Sequence, residues 1–175
     1  MNRRSHYEMA FERYLDERGT PYVPVEAVAN HAHRQTAAKA FDYIVYPPGG
    51  RACLIEVKGR KAASKQAVQE CRGNNWTTIE DVRGLITWKD VFGPDYDAAF
   101  VFGYWLASIS VSESHKGPLD VRLAGRAYRF YLVPAEDDAR HQKIRSRKWR
   151  TISIPTERFV QVTRPLSDCW PMAPC

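Results

Sequence analysis

The chain has 175 residues, with 26 Lys and Arg against 20 Asp and Glu for a net charge of +6, and is 44% hydrophobic and 26% charged. This composition excludes a disordered polyelectrolyte or a fibrous repeat and suits one domain over 1–175, long enough to bury roughly 70% of its unfolded surface. The longest apolar run, 98–107, has ten residues, against the about 20 that a membrane span takes. The polar opening after Met1 lacks the apolar stretch of a secretory signal. Cys53, Cys71, Cys169 and Cys175 are too far apart for a C-x-x-C zinc or disulfide framework. The expectation is a soluble cytoplasmic protein with no membrane association and reduced thiols. Its basic balance makes a polyanion the natural partner.

Residues 3–18 place Tyr7, Phe11, Tyr14 and Leu15 on one helical face, and Gly19 with Pro21 ends that helix. Two β-rich runs follow, 41–46 and 52–57, joined by the Pro47-Pro48-Gly49-Gly50 turn, and together predict a hairpin. Residues 61–71 permit a helix, broken by Gly73-Asn74-Asn75. Thr78 caps a further helix with Asp81 at its third position; Val82, Leu85, Ile86, Trp88, Val91 and Phe92 form the expected buried stripe before Gly93-Pro94. Residues 98–106 are apolar on both faces, as a central strand requires. Residues 108–125 read as a loop insertion, 128–133 and 151–154 as strands, 134–146 as a polar helical segment, and 155–164 as a last helix. The order α-β-β-α-β-β-α-β-α predicts an α/β fold, a mixed central sheet flanked by helices.

The chemistry lies in the hairpin. Glu56 and Lys58 stand two apart and share one face of their strand with Leu54, while Ile55 and Val57 point to the other. With 47–51 as the loop, Tyr46 opposes Ala52 and every cross-strand pair sums to 98, which sets Asp42 opposite Glu56. Directly opposed residues have Cβ atoms about 5 Å apart, and like charges there repel. An unpaired carboxylate in an apolar sheet costs several kcal/mol or takes up a proton. A divalent cation removes both penalties, and hard carboxylate oxygens suit Mg²⁺, with Mn²⁺ as a substitute. Such a site holds a phosphodiester and directs water at phosphorus, with Lys58 orienting the water or stabilising the charge that grows there. The competing reading is a solvated Glu56–Lys58 pair beside a strand start.

The pattern Asp42…Glu56-Val57-Lys58, with 13 residues between the two acids, resembles the PD-(D/E)xK nuclease superfamily and its restriction-endonuclease-like fold. Phe41 stands where the name-giving proline would be. The segment from Glu8 to Gly19 resembles the opening helix of archaeal Holliday-junction resolvases, whose acid has the same spacing to its glycine. The likeness spans 7–106, so 1–106 forms the motif-bearing core and 126–175 adds strands, a helix and a basic segment. It implies Glu8 as the third acid of a metal site with Asp42 and Glu56, Glu12 as the second choice, and Lys58 as the catalytic lysine. It also implies a metal-dependent endonuclease acting on DNA, branched or damaged, and a homodimer. RNA is the alternative substrate, and a non-catalytic nucleic-acid-binding module the alternative function.

Phosphate contacts are expected from Arg60, Lys61 and Lys65 after the motif, and from Arg140, Lys143, Arg145, Arg147, Lys148 and Arg150, six cations in eleven residues without an acid. Trp149, within that segment, reads as a core anchor rather than a platform for an unpaired base. His31 and His33 alternate like a metal pair but lack a third ligand, and Gly49-Gly50 lacks the Lys-Ser/Thr of a phosphate-binding loop.

Overall fold

The computed structural model describes residues 4–25, 38–62, 74–107 and 119–170. Helix α1 (His6–Glu17) starts at Ser5, whose hydroxyl accepts the Glu8 amide at 3.3 Å. It buries Ala10, Phe11, Tyr14 and Leu15, the face that the periodicity predicts. After β1 (Tyr22–Pro24), the expected hairpin forms from β2 (Tyr43–Val45) and β3 (Ala52–Lys61). The short strand β4 (Thr77–Thr78) runs into α2 (Ile79–Phe92). There Thr78 and Asp81 form a capping box, the Thr78 amide donating to Asp81 Oδ2 at 3.0 Å and the Asp81 amide to Thr78 Oγ1 at 3.1 Å. Val82, Leu85 and Trp88 are buried as expected, whereas Val91 lies 58% exposed, on the opposite side of the last turn from Phe92, which packs on Phe41 and Trp88.

Strand β5 (Tyr96–Trp105) is buried along almost its whole length and pairs in parallel with β3. The crossover through α2 makes that pairing reachable. The strands β6 (Val121–Leu123) and β7 (Arg126–Pro134) form a second hairpin, turning at Ala124 and Gly125, both at positive φ. Thus the end of the predicted 108–125 insertion is strand and turn, while 108–118 lies outside the described residues. The predicted 134–146 helix is also shorter: α3 covers Ala135–His141, and Lys143–Ser146 is strand β8. Then follow β9 (Thr151–Ser153), α4 (Thr156–Val162), β10 (Arg164–Pro165) and α5 (Leu166–Cys169).

Seven strands make one mixed sheet in the order β1-β2-β3-β5-β7-β10, with β6 also on β7; β4-β9-β8 make a separate small sheet. Each face of the main sheet carries its own core. On one side Ile44, Leu54, Phe100 and Phe102 pack with Val82, Leu85 and Trp88 of α2 and Phe159 of α4. On the other, Val45, Ile55, Val101 and Phe130 pack with Phe11, Tyr14 and Leu15 of α1 and with Leu166. Among the described residues no helix is long and apolar enough to cross a membrane.

Candidate active site

The hairpin register decides which side chains meet. Tyr43 pairs Ile55, Ile44 pairs Leu54 and Val45 pairs Cys53, the sum of 98 that the turn length predicts. The regular ladder ends at Tyr43: the Asp42 amide donates to the Ile55 carbonyl at 2.9 Å, one residue off that register, so the pairing expected of Asp42 with Glu56 is not formed. The Asp42 carboxylate still comes within reach of the Glu56 charge, and its Oδ2 accepts the Val57 amide at 2.7 Å. Burial, then the neighbouring Glu56 charge, pushes the Asp42 carboxyl up to about 7 against that amide; Glu8 adds to the rise and Lys58 opposes it. The Glu8 charge thus acts at Asp42 across the edge of the sheet.

A close approach seats α1 there. At Gly59 a Cβ would lie 2.1 Å from the Tyr7 ring, so only glycine admits that ring against β3. Gly103, its partner on β5, leaves the adjoining space for Phe130 and Tyr7. The ring fixes the first turn of α1, and Glu8 is the next residue. Its Oε1 accepts the Ser5 hydroxyl at 2.8 Å. Glu12 is held differently, by the Tyr43 hydroxyl at 3.0 Å and by Arg4 at 2.7 Å. Among the described residues Glu12 thus has two partners besides the helix, and Glu8 only the Ser5 hydroxyl.

Lys58 lies between two carboxylates. Its Nζ is 2.7 Å from Glu56 Oε1 and 2.8 Å from Asp81 Oδ2, and the Lys58 side chain is only 14% exposed. A second ammonium, Lys39, bridges the same pair, contacting Asp81 Oδ1 and lying 3.5 Å from Glu56 Oε1. Its backbone is placed by α2: the Trp88 indole donates to the Lys39 carbonyl at 3.0 Å, and a Cβ on Gly84 would meet that carbonyl at 2.7 Å. The Asp81 side chain is 2% exposed. Burial pushes its pKa up, but Lys58, Lys39 and the Thr78 amide outweigh burial and hold it down at about 2. Lys39 is raised, because its bonds to Asp81 and Glu56 outweigh its own desolvation. Asp138 of α3, fully buried, has no hydrogen bond to either carboxylate oxygen among the described residues. Burial first, then the Asp81 charge, lifts Asp138 to about 7.

Sequence reading missed Lys39, Asp81 and Asp138 as neighbours of the motif. Asp81 carried a signal, the capping box, but that pattern speaks of a helix start and not of a lysine 23 positions earlier. Lys39 lies in coil, where no periodicity marks a partner.

The expected phosphate contacts fall into three groups. Arg60 is largely enclosed: it donates to the Gly59 carbonyl at 2.7 Å and to the Trp76 carbonyl, and its guanidinium lies 4.1 Å from the centre of the Trp76 ring. Its position is that of a packing residue at the margin of the site. Lys61 is exposed, beside Trp105. Lys65, with His31 and His33, lies outside the described residues. Arg140, Lys143, Arg145, Arg147, Lys148 and Arg150 are exposed on the end of α3, on β8 and on the 147–150 turn; Arg150 pairs with Glu80 and Arg140 with Asp137. Trp149 is not a core anchor: it is 69% exposed at that turn.

Among the described residues no three His, Cys, Asp or Glu side chains gather tightly enough to hold a metal unaided. Asp42 and Glu56 act on one another electrostatically, and the Asp42 Oδ1 and Glu56 Oε2 oxygens take no part in the contacts above. No protein family and no curated protein matches the sequence. Among solved structures the chain is similar to Hjc, a Holliday junction resolvase from the archaeal hyperthermophile Archaeoglobus fulgidus. The likeness has a TM-score of 0.50 at 15% identity, over 94% of this chain and 95% of that one. The mixed sheet flanked by helices therefore has a fold like that of this resolvase.

Proposed function

We propose that this protein is a divalent-metal-dependent endonuclease that hydrolyses phosphodiester bonds in branched DNA. One observation carries the reading: the Asp42 and Glu56 carboxylates interact beside Lys58 at one end of the β2–β3 hairpin, in a fold like that of a junction resolvase. The donor set fits a small hard cation. Two carboxylates oppose one another, and Asp42 rises to about 7 without a dication beside it. Asp42 and Glu56 would hold Mg²⁺, with Glu8 facing the same place from α1. When bound, the cation supplies Lewis-acid activation of phosphate and water.

The chain's own groups do the rest. The Val57 amide fixes the Asp42 carboxylate through Oδ2 and leaves Oδ1 for a ligand. Lys58 lies between Glu56 and Asp81, and its ammonium would contact a non-bridging phosphate oxygen. Lys39 and Asp81 hold Lys58 in place meanwhile. Water adds to phosphorus as the P–O3′ bond breaks and the leaving oxygen takes a proton, giving 5′-phosphate and 3′-hydroxyl ends.

A binding-only module is the second reading, favoured by the two ammonium groups that already share Glu56. Linear, nicked, flapped, four-way and RNA substrates with Mg²⁺ or Mn²⁺ separate the two. The nuclease reading expects metal-dependent cleavage, strongest on branched DNA, that Lys58→Ala abolishes while binding survives. Binding without any cut by the wild type assigns the module, and RNA-only cleavage assigns an RNA nuclease.

A further inference from the structure

The small sheet carries a feature that cleavage chemistry does not use. An open groove of about 440 Å³ is lined by Trp76, Thr78, Arg145, Ser146, Trp149 and Thr151. Trp149 is 69% exposed and Ile144, on the same ribbon, 62% exposed. An indole of 150–250 Å² is costly to leave in water, and this one stands among cations. Lys148 lies 5.2 Å from the Trp149 ring centre, and Arg145 lies 5.6 Å from that of Trp76. Among the described residues Lys143, Arg145, Arg147 and Lys148 form no salt bridge, unlike Arg140 and Arg150. Flat aromatic surface with uncompensated cations on its rim is the chemistry that receives a base and its flanking phosphates. A protein partner's apolar face would have to desolvate these charges without acids to meet them.

The groove also adjoins the hairpin. Arg60, two residues beyond Lys58 on the same face of β3, packs on the Trp76 ring. Thr78 lines the groove and caps α2 through Asp81, which contacts Lys58.

We infer that the Trp76–Trp149 groove receives an unpaired nucleobase of the DNA substrate, stacked on the Trp149 indole, with Arg145 and Lys148 on the flanking phosphates. This deepens the nuclease reading and rests on it for the identity of the ligand. A protein of this kind grips DNA where bases have left the duplex, as at a junction centre or a flap.

The test is binding in EDTA, so that no cleavage enters. Fluorescence anisotropy compares a blunt duplex with the same duplex bearing a short unpaired thymidine tail, at one fixed salt concentration. The wild type binds the tailed probe more tightly. Trp149→Ala weakens the tailed probe by roughly fivefold to a hundredfold and leaves the blunt duplex within twofold, while Trp149→Phe restores most of the difference. Trp149 is exposed, so these variants keep the core. Equal effects on both probes, or no effect on either, overturn the inference. The two readings fail separately: stacking without any cleavage in Mg²⁺ keeps the groove and removes the nuclease, and cleavage without a tail preference does the reverse.

Discussion

Replacing Asp42 with Asn removes one of two opposed negative charges and keeps the oxygen that accepts the Val57 amide. A carboxyl ordinarily near 3.8 that folding pushes to about 7 corresponds to about 4 kcal/mol of disfavoured ionisation. Asp42 keeps a partly water-accessible edge, so about 2 kcal/mol is the expected size. The sign follows from linkage: a raised folded-state pKa contributes stability below about pH 4 that is lost as pH climbs toward 7. Asp42→Asn lacks that loss. Its stability relative to wild type therefore rises between pH 4 and 7 and levels off above. Asp138, also lifted to about 7, adds the same slope to both proteins and cancels in the difference. Urea unfolding in EDTA at pH 5, 6, 7 and 8 measures this directly. With a slope of about 2 kcal/mol per molar urea, the Asn variant's midpoint gains about 0.5 M over wild type at pH 8 relative to pH 5, because part of the loss is already present at pH 5. Mg²⁺ at a hundredfold excess over its dissociation constant then stabilises wild type by about 2.7 kcal/mol and the variant hardly at all. A difference that stays constant across pH would refute the opposed-carboxylate geometry.

Asp81→Asn strands Lys58 between one acid and a neutral amide, and chemical denaturation should register a loss of about 3 kcal/mol. Lys39→Ala, whose side chain is half exposed, should cost about 1 kcal/mol in the same assay. Gly59→Ala drives a methyl into the Tyr7 ring; thermal melting should fall, and Tyr7→Ala in the same chain should recover part of the loss, since the two groups contest one space. Neutralising Arg147 and Lys148 together should flatten the slope of log affinity against log salt for duplex DNA by roughly two. An unchanged slope would remove the turn from the backbone-binding surface.

Much of the site was legible because its geometry is local. A five-residue turn fixes the register of Tyr43–Val45 on Cys53–Ile55, and Asp42 reaches the Glu56 charge one residue beyond it; helix limits at Thr78 and Gly93 follow from short-range chemistry. What escaped depends on packing between distant segments. Lys39 reaches Asp81 only because α2 crosses over the coil at Gly84. Asp138 meets Asp81's field only once α3 is folded under the sheet. The β8 ribbon reads as helical because its charges hide the alternation of a strand, and Trp149 reads as core because an indole's size does not say on which face of a turn it sits.

Asp81 gives the protein a built-in latch. One oxygen, Oδ2, serves both the amide that opens α2 and the ammonium of Lys58. Any ligand that draws the lysine away also loosens the anchorage of that first turn, and any tightening of the turn holds the lysine back, with equal coupling in both directions. Substrate capture would thus be written into the exchange rates of the amides at 79–81, far sooner than into the shape of the sheet.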